Sequence, residues 1–152
     1  CTQNPSSHQW RNMPSVETWL RQTIADIRDF HFDKIIVRPH PRAWVKISDK
    51  DVQVIPPQKL PNTYDDVDID SALEDTKFVV NYCTNPGIDA VVKGVPVMVG
   101  SPSLAYPVSM KGGYFNFYEP DREEWIKRLS YIEWTVEEIA QAEPLARLLK
   151  KL

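Results

Sequence analysis

The chain has 152 residues, enough for one domain with a real core, because a chain of this length buries roughly two-thirds of its unfolded surface. A 42% hydrophobic content and a net charge of −3 fit an ordinary globular chain and leave no electrostatic footprint for a nucleic acid polymer. Two cysteines make neither a disulfide framework nor a zinc spacing, no apolar run approaches the ~20 residues of a membrane span, and no signal peptide opens the chain, so the expected location is cytoplasmic.

Residues 1–14 are polar and turn-rich, and read either as the loop after a strand or as a frayed arm. Because the chain starts at Cys1 inside such a stretch, we expect a piece of a longer protein. Ser15 then caps a helix whose apolar stripe is Val16, Trp19, Leu20, Ile24 and Ile27, with Phe30 packing the exit. Residues 34–38 read as a short buried strand, which Pro39-His40-Pro41-Arg42 stops abruptly. A further strand is expected over 52–55, closed by Pro56 and Pro57. A loop over 58–67 follows, and then a short helix capped by Asp70.

Residues 77–101 read as strand, turn, helix and strand. Phe78, Val79 and Val80 form an apolar run of the kind a covered strand needs. In the turn that follows, Asn85 is the expected N-cap, Pro86 suits the first helical position, and Asp89 complements the helix dipole. Gly94 ends the helix as a left-handed cap would, and residues 95–99 resume the sheet. The irregular stretch 101–120 is long enough to be functional or mobile. Helices close the chain, with a capping box at Thr135 and Glu138 and a last amphipathic helix over 143–152. The order implies an α/β fold, a Rossmann-like parallel sheet with helices on both faces, in a single domain over 1–152.

Two polar clusters fall at strand ends, where open α/β sheets bind ligands. At the first, Arg38, His40 and Arg42 offer two cations and a titratable donor suited to phosphate oxygens. At the second, the turn Thr84-Asn85-Pro86-Gly87 offers unpaired helix N–H groups to an anion, Gly87 permits close approach, and Asp89 can accept from sugar hydroxyls. The plainer alternatives are a simple cap at Asn85 and solvated arginines around a turn histidine. His8 and His31 read as surface residues. Cys83 reads as a packing residue, or as a thiol with a lowered pKa beside the helix start. The aspartates 65, 66, 68 and 70 lack the glycine and the closing glutamate of a calcium loop, and read as a solvated run. The five tryptophans read mostly as core on helical faces.

The IIVRPHPR strand and the later NYCTNPGIDAVVKGVPVMV stretch resemble the C-terminal half of GT-B glycosyltransferases, nearest to those of capsular and surface polysaccharide synthesis, including the Kdo and sialic-acid transferases. The matching positions are His40-Pro41, then Thr84, Asn85, Gly87, Asp89, Ala90, Gly94, Pro96 and Val97. The RLSYIEWTVEEI run also looks like the closing helices of such proteins. The resemblance implies a domain that binds a nucleotide-sugar, with His40 as the catalytic residue and Arg38, Arg42, Thr84, Asn85, Gly87 and Asp89 as substrate-binding residues. Asp89 stands where the family carries glutamate, one methylene longer. The nucleotide-sugar is a substrate, and no metal or other cofactor is expected, because fixed cations and backbone donors do the same work. An N-terminal acceptor domain or a homo-oligomer is the expected partner. The alternatives are a sugar-nucleotide 2-epimerase and a non-catalytic phosphate-binding or assembly module.

Overall fold

The computed structural model describes residues 1–62, 67–111 and 121–150. By internal contacts the chain divides into two compact units, Cys1–Pro120 and Asp121–Leu152. The larger unit carries helices α1 (Val16–Arg28), α2 (Asp70–Leu73) and α3 (Pro86–Val92), and strands β1 (Ile35–Val37), β2 (Val52–Val54), β3 (Val79–Val80) and β4 (Val97–Met98). The smaller carries α4 (Glu123–Leu129), α5 (Val136–Ala140) and α6 (Glu143–Leu149). This order is the alternation expected from the sequence.

The strands pair in parallel, as expected, but in two separate two-stranded ladders. In the first, Ile35, Ile36 and Val37 lie opposite Val52, Gln53 and Val54; in the second, Val79 and Val80 lie opposite Val97 and Met98. Among the described residues the parallel pairing is present, but the single Rossmann-like sheet expected from the sequence is not. The first residues of the chain link the two ladders. The Cys1 amine donates to the Val80 carbonyl at 2.8 Å, and the Thr2 N–H donates to the Arg38 carbonyl at 3.0 Å. Thr2 and Gln3 are buried, so this stretch is a structural element and not a frayed arm.

α1 starts where expected, with the Ser15 hydroxyl accepting from the Thr18 N–H at 3.1 Å. Its Val16, Leu20 and Ile24 are buried with Trp10, Val37 and Val45. Each such side chain contributes about 1.5–3 kcal/mol on leaving water. Trp10 anchors the 4–14 loop. Its indole N–H donates to the Pro14 carbonyl at 2.9 Å, and its ring meets Trp19 and Tyr82 edge-on at 5.6 and 5.3 Å. The expected burial of β1 holds on one side only, since Val37 is buried while Ile36 is 46% exposed. Gln53, opposite Ile36, is exposed too, so this pair lies on an open face.

The β3–α3–β4 unit forms as expected, and α3 ends in a Schellman motif. Gly94 takes φ 89°, its N–H donates to the Val91 carbonyl at 3.0 Å, and the Val95 N–H donates to the Ala90 carbonyl at 2.8 Å. After β4 the chain stays packed through 111. The Val99 N–H donates to the Ser109 hydroxyl at 3.0 Å, and the Met110 N–H donates to the Val97 carbonyl at 2.9 Å. Ser103, Ala105 and Val108 are buried along this stretch. The rest of the long irregular stretch, residues 112–120, lies outside the described residues.

At α2 the cap is not Asp70, which is already the first helical residue. The Asp68 carboxylate accepts from the Ser71 hydroxyl and, at 3.1 Å, from the Ser71 N–H, and these two bonds, the hydroxyl's first, hold it below the usual carboxylate range. In the smaller unit the capping box is complete, with Thr135 and Glu138 each satisfying the other's backbone N–H. Leu145, Leu148 and Leu149 of α6 stay exposed. No helix among the described residues is long and apolar enough to cross a membrane.

Gly94→Ala places a Cβ in the left-handed region, which costs about 1–2 kcal/mol. We expect the urea midpoint of the variant to fall with its slope unchanged.

Candidate anionic-ligand site

The exits of β1 and β3 form the site. Pro39 is buried, and the chain turns back so that His40 and Ala43 form an isolated bridge, with the Ala43 N–H on the His40 carbonyl at 3.0 Å. Thr2 fixes this turn from beneath, because its hydroxyl accepts from the His40 N–H at 2.9 Å.

The His40 ring has a defined proton position. Its Nδ1 accepts from the Arg42 N–H at 3.1 Å, and a backbone amide can only donate, so in the neutral ring the proton sits on Nε2. Burial, and then the Arg42 charge, push its pKa down from the ordinary value. His40 is therefore a neutral imidazole at pH 7 that presents one N–H donor. Arg42 is exposed.

Arg38 is half-buried and faces inward. Its guanidinium donates to the Asp68 carbonyl, so the expected phosphate ligand is already engaged with its own chain. Burial lowers its pKa, and attraction to Asp68 and Asp89 opposes that shift. Asp89, in the first turn of α3, is near enough to act on the charge of Arg38, which leaves β1.

The α3 turn differs from expectation. Asn85 is exposed, has helical backbone angles and makes no side-chain cap. The Gly87 N–H donates to the Thr84 carbonyl at 3.1 Å, the Ile88 N–H to the Asn85 carbonyl at 2.7 Å, and the Asp89 N–H to the same carbonyl at 3.1 Å. These helix-start donors are taken, so the positive side of the site is built from side chains. The Thr84 hydroxyl oxygen is buried and has no partner among the described residues.

Asn81, which sequence reasoning passed over, organises the turn. It is 2% exposed, and its amide donates to the Thr84 carbonyl at 3.1 Å, while its Oδ1 finds no partner among the described residues. The available signal was a polar residue ending the apolar run of β3. Gly87 leaves room for this side chain. A Cβ there would lie 2.8 Å from Asn81 Nδ2 and 3.0 Å from Val99 Cγ1.

Cys83 is half-buried, and its thiol donates to Gln3 Oε1 at 3.4 Å. Burial pushes its pKa up, opposite to the lowering that a helix start was expected to bring. His8 and His31 are exposed, and His31 Nδ1 lies 2.9 Å from the Asp29 carbonyl. Asp65 and Asp66 lie outside the described residues. Among the described residues no three His, Cys, Asp or Glu side chains gather as metal ligands. The tryptophans divide, with Trp10 and Trp125 buried and Trp44, on no helix, 67% exposed.

Comparison with known proteins finds no matching family model, no matching curated protein and no matching solved structure.

Two outcomes follow from this geometry. The unfolded chain binds more protons than the folded one between the lowered His40 pKa and the ~6.5 of free imidazole. The contribution of His40 to stability is thus complete above about 6.5 and is lost as pH falls through the folded value. A histidine NMR titration should give a His40 midpoint below that of a denatured control. Gly87→Ala should cost about 1–3 kcal/mol by overpacking, read as a lower thermal midpoint.

Proposed function

We propose that the Cys1–Pro120 unit is the nucleotide-sugar-binding half of a GT-B-type glycosyltransferase of surface polysaccharide synthesis. One observation carries the reading: Arg38 at the exit of β1 lies within reach of the Asp89 charge at the start of α3. The HP and TNPGID motifs thus border one another at the carboxyl ends of parallel strands, where α/β sheets bind ligands.

In this reading the donor is taken by its phosphates. The His40 Nε2–H donates to a phosphate oxygen, and the Arg42 guanidinium offers a planar fork to the same group. Arg38 frames the site from within, balanced by Asp68 and Asp89. Thr84 acts through its carbonyl, which gathers Asn81 and Gly87, and Asn85 lies exposed beside them. As the bond between sugar and phosphate breaks, the electron pair leaves with the nucleotide. The positive side chains then stabilise the charge that develops on the leaving phosphate. The general base and the remaining acceptor contacts come from a separate domain in this scheme.

Calorimetry with UDP, CMP and GDP tests the proposal. At least one should bind with a dissociation constant below millimolar, and His40→Ala should weaken it about tenfold, the worth of one charge-assisted hydrogen bond. Its far-UV circular dichroism should be unchanged. The bound phosphate should also raise the His40 pKa towards neutrality, because a nearby anion favours imidazolium. Equal affinity in the variant removes His40 from the site, and a folded protein that binds none of the three nucleotides defeats the reading.

A further inference from the structure

A second concave site lies beside the His40 turn. It is a groove of about 330 Å³ between the 5–17 segment and residues 43–45. That volume is at the small end of ligand sites, which span roughly 300–1,000 Å³. Trp44, Pro5, Met13 and Pro14 supply apolar walls, and Arg11 and Glu17 stand on the rim.

Three features set it apart from an ordinary surface dent. Trp44 keeps 67% of its surface in solvent, and no ring or cation contact involves it among the described residues. The side chains of Arg11 and Glu17 are exposed and make no hydrogen bond or ion pair among the described residues. The walls are also built firmly. One side is held by the Trp10 bond to the Pro14 carbonyl, and the other is seated by Val45, which is 3% exposed. The groove meets the anionic site through Ala43, whose N–H lies on the His40 carbonyl.

We infer that this groove binds a neutral saccharide, with a sugar ring laid on the Trp44 indole. An exposed indole accepts the apolar C–H face of a pyranose, which carries its hydroxyls at the ring edge. Those hydroxyls both donate and accept, so one ring satisfies a carboxylate and a guanidinium together. A phosphate or carboxylate ligand would satisfy Arg11 but be repelled by Glu17. The saccharide class rests on the donor-binding reading above, because a transferase that takes an activated sugar must also hold the glycan that receives it.

Saturation-transfer NMR on the full chain tests the inference, with lactose, maltose, cellobiose and chitobiose at millimolar concentration and uridine as the flat-ring control. Transfer to the ring protons of at least one saccharide is expected. It should fall about tenfold in Trp44→Ala, the scale of a ring stacked on an aromatic face. It should persist in Trp44→Phe and weaken in Glu17→Gln. Trp44 is exposed, so these variants should fold, with circular dichroism as the check. No transfer from any saccharide, equal transfer in Trp44→Ala, or transfer to uridine alone would overturn the inference. UDP calorimetry run in parallel separates the two readings. UDP binding without saccharide transfer rejects the groove alone, whereas saccharide transfer without UDP binding rejects the phosphate site and upholds the groove.

Discussion

Thr2 makes two hydrogen bonds on which the larger unit depends. Its N–H caps the Arg38 carbonyl and its hydroxyl holds the His40 N–H, so one buried residue ties down both ends of the Arg38-Pro39-His40 path. Beside it, Cys1 reaches the Val80 carbonyl. Neither two-stranded ladder is large enough to be stable alone. The linked set lets α1 and the Trp10 cluster cover β1, while the β3–α3–β4 unit sets its turn alongside. Every distance in the candidate site is referred to that linkage.

Charge in this region is arranged more economically than a row of basic residues implies. Arg38 faces inward and is balanced by Asp68 and Asp89, so it shapes the site more than it attracts a ligand. His40 is neutral, with its acceptor nitrogen turned to its own backbone. An anion approaching this surface meets one oriented N–H and the Arg42 charge. For the proposed donor this arrangement means recognition of its phosphate by geometry more than by net charge.

Local chemistry was legible in the sequence wherever one residue decides one bond. Ser15, the Thr135–Glu138 box and Gly94 follow from short-range rules, and each forms as expected. The element order follows from periodicity. Contacts between distant segments were not legible. The bond from Arg38 to the Asp68 carbonyl, thirty residues on, has no sequence signal. Gly87 looked like a clearance for a ligand, but the neighbour it clears is Asn81, a side chain with no motif to mark it. Asn85 stands at the cap position its residue type suits, yet with helical backbone angles its side chain makes no capping bond. The tryptophans read mostly as core on helical faces, and Trp44, which no helix carries, is exposed.

The uneven burial of the tryptophans also has an optical meaning. Trp10 and Trp125 are 4% and 8% exposed and sit in apolar surroundings, whereas Trp44 is 67% exposed. Emission from a buried indole is blue-shifted and shielded from dissolved quenchers, and emission from an exposed one is red-shifted and open to them. The red edge of the spectrum therefore belongs mainly to one residue on the groove wall. The native chain carries its own reporter there, with no label to attach and no substitution to make.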